Sequence, residues 1–153
     1  MQTEQITQRL ALMNGIKPQT LNNGRLSSDG IDMQASRRAF FILRIGANAG
    51  SISAWLQESA DNSSWTANDT AGAFANSGAN NVSQTGLATA DKVYSFEVNA
   101  SQLTTGKRYV RLQIKEVNSA DVLVCVTAFG DEGEHKPNNP NNGSGVATQN
   151  VVS

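Results

Sequence analysis

Any chemistry in this chain must be built from very few of the usual groups. His135 is its only histidine and Cys125 its only cysteine, too few for a Ser-His-Asp or Cys-His relay in a β-core or for a tetrahedral zinc site. His135 stands in the polar stretch "DEGEHKPNNPNNGSG". Cys125 lies inside "DVLVCVTAF", where it reads as a small buried hydrophobe rather than a reactive thiol. Glu58, Glu97 and Glu116 fall on or beside β-type segments. Two carboxylates facing one another across a sheet can hydrolyse a glycoside, but strand carboxylates ordinarily point into solvent, and that is the expectation for these three. "DNSSWTAND" offers Asp61, Asn62, Asn68 and Asp69, and "GDEGE" offers Asp131, Glu132 and Glu134. These are hard oxygen donors suited to calcium, yet neither group has the EF-hand spacing and both are of a kind that turns use anyway. No glycine-rich loop has a phosphate-binding spacing. The expectation is a protein that is not an enzyme and carries no cofactor or metal.

Aromatic residues are the remaining candidates. Trp55, Trp65, Tyr94 and Tyr109 could form a sugar-stacking platform. The competing reading packs Trp55 and Tyr94 into the fold and lets Trp65 hold its own loop against the sheet. Trp65 raises the sharper question, because it ends a run of small polar residues where a large ring gains little from solvent.

The elements that would position these side chains are strands. The chain has 153 residues, enough for one domain with a real core. Only 16% of residues are charged, the net charge is −1, and the Lys and Arg residues are scattered, so no electrostatic footprint for nucleic acid is present. No stretch approaches membrane-spanning length and the start has no secretory pattern, so synthesis and folding in a cytoplasm are expected. "RRAFFILRIG" reads as a central strand covered on both faces. "SISAWLQES" alternates, with Ile52, Ala54 and Leu56 facing one way and Ser53, Trp55 and Gln57 the other. "KVYSFEVNA" points Tyr94, Phe96 and Val98 inward, and "KRYVRLQIKEV" does the same with Val110, Leu112 and Ile114. "NSAD" then predicts a hairpin into "VLVCVTAFG", and a weak strand is expected near Val82 to Leu87. Short strands separated by turn signals predict an all-β sandwich or barrel. Residues 31–130 are its expected core. Residues 1–30 read as an N-terminal arm, with a short helix over Gln5 to Met13, and residues 131–153 as an extended C-terminal tail.

The order of the pieces resembles a group of small tailed-phage and prophage capsid-associated proteins. The resemblance lies in "FFILRIGANAGSISAWLQESADNSSWTAN", then "KRYVRLQIKEV", then a last apolar strand ending "AFGDEG". The matching positions are Leu56 to Ser59, Asp61, Ser63 to Trp65, Phe74 and Lys107 to Arg111, within residues 37–130. It implies a jelly-roll-like β-sandwich or barrel with extended N- and C-terminal arms. The implied role is capsid cement or decoration on the virion surface, bound to the major capsid protein and self-associating as a dimer or trimer, with no nucleic acid or membrane partner. The expected contact residues are Trp65 and Phe74 in the loop, Ile6, Leu10 and Met13 in the first arm, and Val146 and Val151 in the tail. The alternative is a carbohydrate- or receptor-binding β-module of a tail fibre or spike.

Overall fold

The computed structural model describes residues 10–65, 83–87 and 91–133. The described residues form nine strands: β1 (Ala11–Leu21), β2 (Arg25–Ser27), β3 (Ile31–Asp32), β4 (Ser36–Asn48), β5 (Ile52–Ser59), β6 (Ser83–Leu87), β7 (Lys92–Asn99), β8 (Tyr109–Glu116) and β9 (Val122–Gly133). Among the described residues a single 3-10 turn, Ala100–Gln102, follows β7. No helix among the described residues is long and apolar enough to cross a membrane.

The strands form two antiparallel sheets. One has the order β1-β9-β4-β7; the other runs β2-β8-β5-β6, with β3 also paired to β8. The all-β sandwich expected from the strand pattern is therefore observed. Period-two alternation in each strand supplies one inward face. Ala39, Phe41, Leu43 and Ile45 of β4, Phe96 and Val98 of β7, and Val122, Val124 and Val126 of β9 meet Ile52, Ala54 and Leu56 of β5 and Val110, Leu112 and Ile114 of β8 in one cluster. The inward sets expected for β5, β7 and β8 are all found facing this core, with Tyr94 packed at its margin.

Several expectations are corrected here. The first concerns the N-terminal arm. Ala11–Leu21 is neither arm nor helix; it is an edge strand paired with β9, with Ala11 opposite Gly130 and Leu21 opposite Val122. Two register irregularities, between Met13 and Ile16 and between Ile16 and Gln19, break the alternation that would have announced it. Pro18 is tolerated because an edge strand needs hydrogen bonds on one side only. Arg25–Ser27 likewise pairs with β8. At the other end, β9 continues to Gly133 and buries Asp131, so the tail cannot begin at residue 131.

The second concerns β8 and β9. They are not a hairpin; they lie in different sheets, and the segment between them arches across the sandwich. Ser119 adopts a left-handed φ of 56°, and Val117 N–H donates to the Ser51 carbonyl (3.0 Å) instead of to β9.

Third, β4 is not covered on both faces. Arg38, Phe40 and Ile42 are half-buried and Arg44 is exposed on its outer side.

Fourth, Glu58 and Glu116 are buried, not solvated. Glu58 Oε2 accepts the Thr104 N–H at 2.9 Å. Glu116 organises the arch: Oε1 accepts Asn118 N–H (2.5 Å), while Oε2 accepts Asn23 N–H (2.9 Å) and Ser119 N–H (2.8 Å). Burial raises its pKa, but the N–H groups of Asn118, Asn23, Ala120 and Ser119 together outweigh it and hold the carboxyl below the usual 4.5. A depressed folded pKa adds stability that is complete above the unfolded value and lost as pH falls through the folded one. Glu116→Gln, which must aim an NH2 at one of these donors, is expected to lower the thermal midpoint at neutral pH by roughly 5 °C. The gap to wild type should close below about pH 4.5, which paired melts across pH 3–7 measure.

Candidate binding surfaces

Trp65 occupies the end of a turn built by one carboxylate. Asp61 Oδ1 accepts the Ser64 N–H (2.7 Å), the Ser63 N–H (2.9 Å) and the Ser59 hydroxyl (2.9 Å). Those backbone donors, Ser64 first and then Ser63, with the serine hydroxyls, hold the Asp61 carboxyl far below the ordinary range. Asn62 takes a left-handed φ of 60°, a conformation that asparagine tolerates. The turn brings the chain back so that Trp65 bridges Ser59 at the end of β5. Asp61 is therefore engaged by its own loop. Among the described residues no group of three or more His, Cys, Asp or Glu is placed to hold a metal.

The indole of Trp65 is half-buried. The Arg111 guanidinium from β8 lies over it, 4.2 Å from the ring centroid, and Arg111 Nε donates to Gln57 Oε1 at 2.7 Å. A Cβ on Gly30 would sit 2.8 Å from Trp65 Cη2 and would also strike Asn62 Oδ1, so the ring can rest there only because residue 30 is glycine. Trp65 thus clamps three segments that are distant in sequence: the turn after β5, the Gly30 linker, and β8. Removing it takes away a cation–π contact and the packing over Gly30. Trp65→Ala is expected to cost about 2 kcal/mol in urea unfolding, with Trp65→Phe recovering most of the loss. A Trp65→Ala protein as stable as wild type would show that the ring is not a clamp.

Beside this clamp lies a cavity of about 440 Å³. Met13 and Asn14 of β1, Asp29, Asn62, Trp65 and Arg111 face it, with Ser28 and Gly30 completing the wall. Ser28 is tied to β8 through its N–H to the Leu112 carbonyl (2.9 Å) and its Oγ to the Leu112 N–H (3.1 Å). Asp29 is tied to β1 through its N–H to the Asn14 carbonyl (3.1 Å), and Asn14 Nδ2 donates to its carboxylate at 2.6 Å.

A second surface occupies the outer face of the β1-β9-β4-β7 sheet. The register aligns Leu12, Phe129, Phe40 and Glu97 in one row across the four strands. Phe40 and Phe129 stack with centroids 6.5 Å apart and planes at 24°. The next row carries Thr127, Ile42 and Ser95, and the one after it Cys125, Arg44 and Val93. Cys125 is accordingly half-buried on the outside, correcting the expectation of a core thiol. Val93 is 62% and Leu123 41% exposed, at two sides of the same face. Arg38 and Glu97, joined at 3.1 Å, rim it.

Of the residues expected to make contacts, Trp65 and Met13 come together at the cavity and Leu10 is half-buried just before β1. Ile6, Phe74, Val146 and Val151 lie outside the described residues. Sequence reasoning missed Arg111 as the partner of Trp65, and missed Phe40 and Phe129 as an outward pair. The first had no local signal, since the two residues meet only through the fold. The second was visible as "AFF" and "TAFG", where one aromatic of each strand had to face away from the core. Trp55 is also on an outward face, yet only 5% exposed, with Arg25 5.9 Å above its ring, so it packs the fold as expected and offers no platform. No protein-family model and no curated protein matches this chain.

Proposed function

We propose that this protein is a structural subunit of a virion, a capsid cement or decoration protein that binds neighbouring major capsid protein subunits and stabilises the phage head from outside. The observation that carries the reading is the outward apolar row Leu12, Phe129 and Phe40, continued by Ile42. A sheet face turned away from its own core normally alternates to polar side chains. A contiguous apolar face rimmed by charge is the physical form of a protein contact. The strand order, β1-β9-β4-β7 facing β2-β8-β5-β6, is in keeping with a jelly roll of two interleaved Greek keys. That is the scaffold which the resemblance to tailed-phage capsid proteins leads one to expect. On this reading the molecule performs no reaction. It works by contact area, with self-association as a dimer or trimer on the shell.

The test is co-sedimentation of the purified full-length chain with empty phage heads that lack it. Saturable, stoichiometric binding and a raised temperature of head disruption are expected. Heads that sediment bare at micromolar protein refute the proposal.

A further inference from the structure

The cavity beside Trp65 has a chemistry that the outer sheet face does not use. Arg111 is held in place before any ligand arrives: its guanidinium carbon lies 4.2 Å from the Trp65 ring centroid and its Nε is fixed by Gln57. Burial pulls its pKa down, and among the described residues no carboxylate forms an ion pair with it. A guanidinium whose Nε is already engaged keeps its two Nη groups to offer the two oxygens of a carboxylate. Asp29 stands on another wall, and its carboxylate, steadied by Asn14, is an acceptor for hydroxyl groups. A bare anion would offer no hydroxyl to offset its repulsion from Asp29, and a neutral polyol would leave Arg111 unmatched. Met13 and the indole edge add an apolar wall for C–H groups. The volume, about 440 Å³, lies in the range of small-ligand sites.

We infer that this cavity binds a uronic acid residue, with the sugar carboxylate on Arg111 and ring hydroxyls on Asp29, Asn14 and Asn62. The inference is independent of head binding and gives the molecule a second contact, with acidic saccharide.

Titration of the full-length protein with sodium glucuronate, followed by tryptophan fluorescence and by saturation-transfer NMR, tests it. Glucose and acetate serve as matched probes lacking one half of the chemistry. Glucuronate is expected to saturate, with each of the other two weaker by roughly tenfold or more. Arg111→Gln should reduce glucuronate to the level of glucose. Asn62→Gly, which suits the left-handed φ of 60°, should weaken glucuronate several-fold without disturbing the Arg111–Trp65 contact, as near-ultraviolet circular dichroism would show. Trigalacturonate binding more tightly than galacturonate supports an internal polysaccharide unit, and equal binding supports a single terminal or free sugar. Glucuronate that fails to saturate, glucose or acetate that matches it, or an Asn62→Gly protein that binds it unchanged overturns the inference.

Discussion

Gly15→Ala lowers the thermal midpoint by on the order of 10 °C, the largest effect expected of any single methyl group in this protein. Gly15 lies in β1 at the irregular step between Met13 and Ile16, where the strand crosses close over β9. A Cβ there would fall on the Val126 carbonyl oxygen, 2.7 Å from the carbon of the same group and 3.3 Å from Thr127 Cα. All three atoms are backbone in a strand paired on both sides, so no side-chain rotation relieves the clash. Strand β1 must lift, and overpacking of this kind costs about 3 kcal/mol, which for a chain of this size is the stated shift. Urea denaturation and hydrogen exchange would locate the damage: amides shared by β1 and β9 should lose protection before those between β5 and β8. Gly24→Ala, whose nearest contact is a flexible Leu21 methyl at 3.3 Å, is the matched control and should shift the midpoint far less. Equal melting of wild type and Gly15→Ala would mean that β1 does not lie where it is described.

The second large effect concerns binding. Replacing Phe40 and Phe129 together by serine should weaken association with empty heads by about 30-fold or more. Truncating an aromatic at the centre of a contact commonly costs at least ~2 kcal/mol, and because such costs do not add, ~2 kcal/mol is taken as the floor for the pair, which corresponds to that ratio. Serine is chosen because a carboxylate at residue 40 would stand directly opposite Glu97 and repel it. The two rings point away from the core and are already half-exposed, so the melting temperature should move by only a few degrees. That separation of affinity from stability is what distinguishes a contact face from a structural one. Undiminished binding by a folded double variant would remove the outer sheet face from the proposed function.

Most of the sandwich could be read from the chain because its strands alternate cleanly. Val110, Leu112 and Ile114, or Phe96 and Val98, announce their own inward face, and each is buried as its neighbours dictate. What could not be read follows from physics that alternation does not encode. Strand β1 hides behind two irregular steps and a proline, and its pairing is decided by β9 far along the chain. The "NSAD" turn is short enough for a hairpin, and the hydrophobic pattern on either side is the same for an arch. The buried Glu116 carboxylate, bound to backbone N–H groups, is what marks the arch in the structure. Glutamates at strand ends look solvated in a sequence because their partners are main-chain groups, which every residue carries. The clamp at Trp65 was half legible: a large ring after a polar turn asked for a partner, but nothing local pointed to Arg111.

The pairing of Ala11 with Gly130 has a further meaning for how the molecule comes into being. Of the described strands, the first in the chain has no strand to pair with until the last has emerged from the ribosome, because among the described residues β9 is the one strand paired with β1. Nascent chains short of residue 122 must therefore keep an orphaned opening segment, and folding has to wait for a closure spanning nearly the whole domain, which slows it. The same neighbourhood of ends offers a remedy: a chain rejoined there and opened at another surface turn would make β1 and β9 consecutive, and should fold faster to the same sandwich.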